Sequence, residues 1–177
     1  MAAPLLQPRI AAIALDADAH VEGFMLPLVA RLRAAGWVVG GAVAPFEEFH
    51  DDCCRAMFLE DLLSGERVQI SQDLGSGASG CVVDPGQLAD AGRFVRRALD
   101  LPADLVVVNK FGKFEASGQG LRTEMILALE TGLPLLTTVK PSIVPDWTEF
   151  VGDYGRLLPP DHDAVLAWCE AVRIPPV

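Results

Sequence analysis

Leu105-Val106-Val107-Val108-Asn109-Lys110-Phe111-Gly112-Lys113-Phe114-Glu115 is the stretch on which the reading of this chain turns. Its first four residues are aliphatic and mostly β-branched, the pattern of a strand covered on both faces. Two lysines, a glycine and a carboxylate follow at once. Open α/β sheets hold their ligands beyond the carboxyl ends of the strands, so Asn109, Lys110, Gly112, Lys113 and Glu115 stand where a site is expected. Lysine brings charge, asparagine a further donor, and glycine lets a ligand approach the backbone. The segment predicts an anion or nucleotide site without identifying the ligand.

The neighbouring segments carry the same architecture outward. Ile10 to Leu15 is another short apolar run suited to a central parallel strand, with Asp16 to His20 as the loop at its carboxyl end. From Val21 to Ala35 the residues Phe24, Leu28 and Leu32 recur at helical spacing, and Gly36 is a stop signal. Trp37 to Val43 reads as a second strand. Cys54–Phe58 and Arg67–Ser71 flank the turn-like stretch Asp61 to Glu66 and predict a β-hairpin, followed by a Gly/Ser loop at Gly75–Gly80. Asp84-Pro85 opens a helix on which Leu88, Ala91, Val95 and Leu99 share a face. Leu121–Glu130 is a further helix, Pro134–Val139 a further strand, and Asp163–Val172 a final helix. Alternating strands and helices define an α/β class with a mainly parallel sheet flanked by helices and a β-hairpin insertion.

At 177 residues the chain suits one domain spanning 1–177, large enough to bury roughly 70% of its unfolded surface. A hydrophobic content of 51% separates it from disordered sequences. The net charge of -10 argues against nucleic acid as a partner, since such binders rely on clustered Lys and Arg. No apolar run reaches membrane-spanning length. Ile10–Leu15 is also too short, and lacks the basic flank, for a leader peptide. The expectation is a cytoplasmic protein with no membrane partner. Cys53, Cys54, Cys81 and Cys169 show no framework of spaced pairs and are expected to be reduced.

The order of these motifs resembles the small P-loop nucleoside-triphosphatases of the cancer-related or thermophile type. In them a strand and helix precede a hairpin, and a later strand ends in two acidic residues followed by Gly-Lys. Val106 to Glu115 matches the strand, the Gly-Lys pair and the later Glu. The resemblance implies a P-loop-NTPase-like fold. It also implies a degenerate nucleotide site, because Asn109 and Lys110 stand where those proteins carry a magnesium-organising Asp and a catalytic Glu. A phosphate loop needs glycines, a Lys and a Ser or Thr, whereas the first strand is followed by Asp16-Ala17-Asp18-Ala19-His20-Val21-Glu22-Gly23. Those carboxylates repel a triphosphate by roughly 1 to 4 kcal/mol per close pair. Over residues 10 to 158 the chain is also similar to an uncharacterised bacterial domain family carrying Ile70-Ser71-Gln72-Asp73-Leu74-Gly75, Asn109-Lys110-Phe111-Gly112-Lys113 and Trp147-x-x-Phe150. That resemblance implies a role beside molybdate uptake, hence in handling a metal oxyanion.

The candidate ligand residues are Asp16, Asp18, Ser71, Gln72, Asn109, Lys110, Gly112, Lys113 and Glu115. In one reading Lys110 and Lys113 bind molybdate, sulfate or a nucleotide phosphate, with Asn109 donating and Ser71, Gln72, Ser76 and Ser79 as neutral donors. In the competing one, Lys110 only neutralises Asp16 or Asp18 in an internal salt bridge. A third has Asp16, Asp18 and Glu115 holding Mg²⁺ for nucleotide or phosphoryl transfer. A fourth is a structural adaptor acting as a homodimer. His50-Asp51-Asp52-Cys53-Cys54 has metal-ligand residue types but unsuitable spacing, and no serine lies in a nucleophile elbow. No catalytic residue or metal ligand is assigned. Trp147 and Phe150 either close over a ligand, form a subunit contact or strap onto the sheet. His162 caps or precedes the last helix. The expectation is a non-hydrolysing binding or regulatory protein with a small anion or nucleotide as its partner.

Overall fold

The structure is a computed structural model and describes residues 9–16, 19–45, 56–72 and 82–175. Its strands are β1 (Ile10–Ala14), β2 (Val39–Val43), β3 (Phe58–Asp61), β4 (Arg67–Gln69), β5 (Leu105–Val108), β6 (Leu135–Val139) and β7 (Gly155–Leu158). Its helices are α1 (Val21–Ala34), α2 (Pro85–Asp90), α3 (Gly92–Asp100), α4 (Lys113–Ala116), α5 (Arg122–Thr131), α6 (Val144–Val151) and α7 (His162–Val172). The strands form one seven-stranded sheet in the order β4-β3-β2-β5-β6-β1-β7. From β2 to β7 the neighbours are parallel, and β3 and β4 are antiparallel additions at one edge.

Side-chain alternation along the strands supplies both faces of the sheet. Ala11 and Ile13 of β1, Val107 of β5 and Leu136 of β6 pack against Met25, Leu28 and Leu32 of α1 and Val165 and Trp168 of α7. Ile10, Ala12, Val106 and Leu135 face the opposite way, toward Phe94 and Val95 of α3, Met125 of α5 and Trp147 of α6. The continuous apolar runs therefore belong to strands buried from both sides, as their sequence requires.

Some expectations need correcting. A hairpin is present, but its first strand is Phe58–Asp61, so that of the expected Cys54–Phe58 only Phe58 lies in it and Asp61 belongs to the strand rather than the turn. Cys54 and Arg55 lie outside the described residues, and the pair of strands widens the sheet beside β2. The single helix expected after Asp84-Pro85 is two, broken at Ala91, where Gly92 passes so close to the Glu124 carboxylate that a side chain would collide with it. Asp84 caps the first of them by accepting from the Gly86 and Gln87 N–H groups at 2.8 and 3.0 Å. The segment expected as a strap holds the helix α6, and β7 follows it at the edge of the sheet.

Arginines fasten the hairpin to the helix behind it. Asp61, fully buried at the end of β3, accepts from the Arg97 guanidinium, from the Leu63 N–H at 3.0 Å and from the Ser64 hydroxyl at 2.7 Å. Arg93 first, and Arg97 after it, hold the Glu66 carboxyl below its ordinary range. The stabilisation from Glu66 is thus present at neutral pH and is lost as the pH falls through that lowered value.

One buried polar atom in the sheet has no partner. Thr137, paired with Ala12 across β1 and β6, is fully buried and its hydroxyl makes no hydrogen bond. An unsatisfied buried hydroxyl costs about 1 kcal/mol or more. Thr137→Val keeps the shape and removes that cost, so its melting temperature is expected to rise by roughly 2 to 4 °C. A fall of similar size in a thermal melt would refute this account of Thr137.

Candidate functional site

The chain leaves β1 for α1 on one face of the sheet and leaves β6 for α6 on the other, although β1 and β6 are neighbours. A crevice beyond the carboxyl ends of two such strands is where open α/β sheets place ligands. Three segments meet at this end of the sheet: Asp16 after β1, Asn109 to Lys113 after β5, and Lys140 after β6.

The β5 end is displaced from regular pairing. Val107 pairs with Leu136, yet the next bridge joins Phe111 to Val139, so three residues of one strand face two of the other. This is a β-bulge, a device that redirects side chains at the ends of sheets. It is fixed on both sides. The Asn109 Oδ1 accepts from the Ala44 N–H at 2.9 Å, the Asn109 carbonyl accepts from the Thr138 hydroxyl at 2.7 Å, and the Phe111 N–H donates to the Thr138 carbonyl at 2.8 Å. Asn109 is therefore first a brace between β2 and β6, with only its NH₂ left to donate.

Phe111 turns inward beneath the loop while Lys110 stays exposed. The Phe111 ring stacks on Phe150 at 5.2 Å and meets Trp147 edge-on at 5.4 Å. Arg122 covers Phe150 at 4.6 Å and donates to the Glu115 carbonyl at 2.9 Å. Trp147 and Phe150 thus form the floor under the lysine loop.

Glu115 is buried and closes the loop from inside. One carboxylate oxygen accepts from the Gly112 N–H at 2.9 Å and the other from the Leu121 N–H at 3.0 Å. Gly120 stands against this carboxylate, and a Cβ there would collide with it. Glu115 is consequently a scaffold for the segment bearing Lys113.

The lysines differ from the arginines in how they are used. Nine of the ten described arginines donate to, or pair with, a protein group. Lys110, Lys113 and Lys140 are the only lysines of the chain, all are exposed, and among the described residues none forms an ion pair or side-chain hydrogen bond. The internal salt bridge from Lys110 to Asp16 is not formed. Lys140 was not among the residues singled out from sequence. The signal was present, because Val139-Lys140 repeats the strand-then-lysine pattern of β5 in a chain whose other fixed cations are all arginine.

The remaining candidates are dispersed. Ser71 is buried at the end of β4, where its hydroxyl oxygen accepts from the Met57 N–H at 2.9 Å. Exposed Gln72 follows it, its N–H donating to the Val82 carbonyl at 2.7 Å. Both are on the ligand-facing end, but β3 and β2 separate β4 from β5, a span of roughly 14 Å at ordinary strand spacing. Asp18, Ser76, Ser79 and the His50–Cys54 cluster with Cys81 lie outside the described residues. Among the described residues no three metal-ligating side chains cluster. Burial pushes the Cys169 thiol up to about 12, so it stays protonated at neutral pH. At the start of α7, Asp161 caps the helix, and the His162 Nε2 lies 3.0 Å from the Phe24 carbonyl. No described helix is long and apolar enough to cross a membrane.

The fold defines a mixed α/β protein with a mostly parallel sheet, and its three lysines follow the carboxyl ends of β5 and β6. The chain belongs to a family of proteins of unknown function, DUF2478, whose model matches residues 10–168. It is 36% identical over 160 residues to a protein of Bradyrhizobium diazoefficiens named molybdenum import ATP-binding protein ModC 2. The match takes in 90% of this chain and 18% of that protein, so the chain corresponds to a small part of its relative. No solved structure matches the chain significantly.

Proposed function

We propose that this chain is a non-hydrolysing anion-binding or regulatory protein, taking a small oxyanion or a nucleotide phosphate at the carboxyl ends of β5 and β6. The observation that carries the reading is that every lysine of a strongly acidic chain stands at this end of the sheet and that, among the described residues, none of the three has a protein partner. Exposed ammonium groups at the ends of strands and at the start of a helix are suited to receive a phosphate-like ligand as point charges. A relative named for molybdenum import and ATP binding supports the same ligand chemistry, and supports descent from a P-loop-type nucleotide-binding fold. The Mg²⁺-dependent alternative draws less support, since both oxygens of Glu115 are occupied by backbone N–H groups.

Two measurements test this reading. A ligand that binds only the folded protein adds about 2.7 kcal/mol at a hundredfold excess over Kd, raising the melting temperature by roughly 5 to 10 °C. Lys110→Gln with Lys113→Gln is expected to remove that rise while leaving the unliganded melt within about 0.5 kcal/mol of the original. In the second measurement, purified protein incubated with ATP or GTP and Mg²⁺ is expected to release no phosphate above background, because Asn109 and Lys110 cannot supply the two carboxylates of hydrolysis. Steady release that disappears in Asp16→Ala would refute the non-hydrolysing role.

A further inference from the structure

We infer that the lysines at the ends of β5 and β6 select a compact tetrahedral dianion over a nucleotide, and that Lys140 is its third cationic contact. This rests on the anion-binding reading and narrows it. The Phe111–Val139 bridge brings the ends of β5 and β6 together, with Lys110 immediately before one bridged residue and Lys140 immediately after the other. Adjacent strands lie about 4.8 Å apart, and lysine stems are flexible, so both ammonium groups can converge on one small anion. Lys140 has an extended backbone (φ -76°, ψ 148°), and alternation from buried Val139 directs it away from the Phe111 floor.

Two features oppose a nucleotide at the same place. The first is that, among the described residues, no phenylalanine, tyrosine or tryptophan ring at this end of the sheet stands exposed for a base to stack on. Phe111 and Trp147 are each 1% exposed, and Phe150 is covered by Arg122. Tyr154, the exposed ring at 77%, precedes β7 at the opposite end of the sheet.

The second is the charge beside Lys140. The Leu15 N–H donates to the Val139 carbonyl at 3.0 Å, which sets exposed Asp16 next to this lysine, and Glu22 occupies the first turn of α1. A polyphosphate extended from the lysines toward α1 meets these carboxylates. A compact anion held between β5 and β6 touches neither and feels only the weaker, longer-range repulsion of Asp16.

The test is a titration of the full chain with sodium sulfate, sodium molybdate and ATP at constant ionic strength, followed by calorimetry and thermal melting. Sulfate or molybdate is expected to bind and ATP to bind at least tenfold more weakly. Lys140→Gln is expected to weaken oxyanion binding roughly tenfold, the loss of one charged hydrogen bond, without shifting the unliganded melt. Asp16→Asn is expected to tighten it a few-fold by removing a nearby like charge. Preference for molybdate over sulfate identifies a metal oxyanion as the ligand, and equal binding identifies the dianion class; both support the inference. ATP binding more tightly than either oxyanion, with Lys140→Gln unchanged, overturns it but leaves the anion-binding reading standing. Failure of all three anions to bind overturns both.

Discussion

Gly41→Ala is expected to prevent accumulation of folded protein. Gly41 lies in the middle of β2, paired with Val107 of β5, and has φ of +113°. Two costs combine there. An L side chain at that dihedral is strained by roughly 1 to 3 kcal/mol, and a Cβ would be driven into the Val107 carbonyl of the neighbouring strand. Because the obstacle is backbone at the centre of the sheet, it cannot rotate aside. The sum is expected to exceed about 4 kcal/mol, against total stabilities of about 5 to 15 kcal/mol for proteins of this kind. Gly132→Ala is the control, since Gly132 also has positive φ (+73°) but nothing within 4 Å of an added Cβ. It should cost only the dihedral strain and melt a few degrees low. If Gly41→Ala melts as Gly132→Ala does, the close approach of β2 to β5 is wrong.

The elements legible in the sequence were those whose burial leaves a strong local pattern. Ile10–Ala14, Leu105–Val108 and Leu135–Val139 are buried on both faces or nearly so, and their continuous apolar runs announce it. β7 was not legible because Gly155-Arg156-Leu157-Leu158 is short, at the sheet edge and largely exposed, so it carries no run and no clear alternation. α6 is short and begins beside two prolines, Pro141 and Pro145, so its sequence carries little helical signal. Pro145 in fact occupies the first turn of α6, where a missing N–H costs nothing. The site was legible where it is local. Lys110, Gly112 and Lys113 follow one strand, but Lys140 joins them only through the β5–β6 pairing, a contact between residues distant in sequence. Ser71 and Gln72 were placed with the lysines by composition, and the strand order sets them apart.

Glu115→Ala is expected to abolish anion binding by dismantling the loop that presents Lys113. Two backbone N–H groups, those of Gly112 and Leu121, donate to this carboxylate. Hydrogen bonds to a charged group contribute about 1.5 to 3 kcal/mol each, so the expected destabilisation is roughly 3 to 6 kcal/mol. Glu115→Gln separates structure from ligand chemistry. A glutamine keeps one carbonyl acceptor for one of the two N–H groups, while its NH₂ faces the other as donor against donor. It should therefore lose part of the stability and retain a folded, partly ordered loop. If Glu115 only shapes the loop, oxyanion affinity in Glu115→Gln falls no further than its loop stability does, and added Mg²⁺ stabilises neither the original protein nor the variant. Mg²⁺-dependent stabilisation of the original protein that vanishes in Glu115→Gln would instead make this carboxylate a cation ligand, and the lysine loop would have to open for it to serve as one.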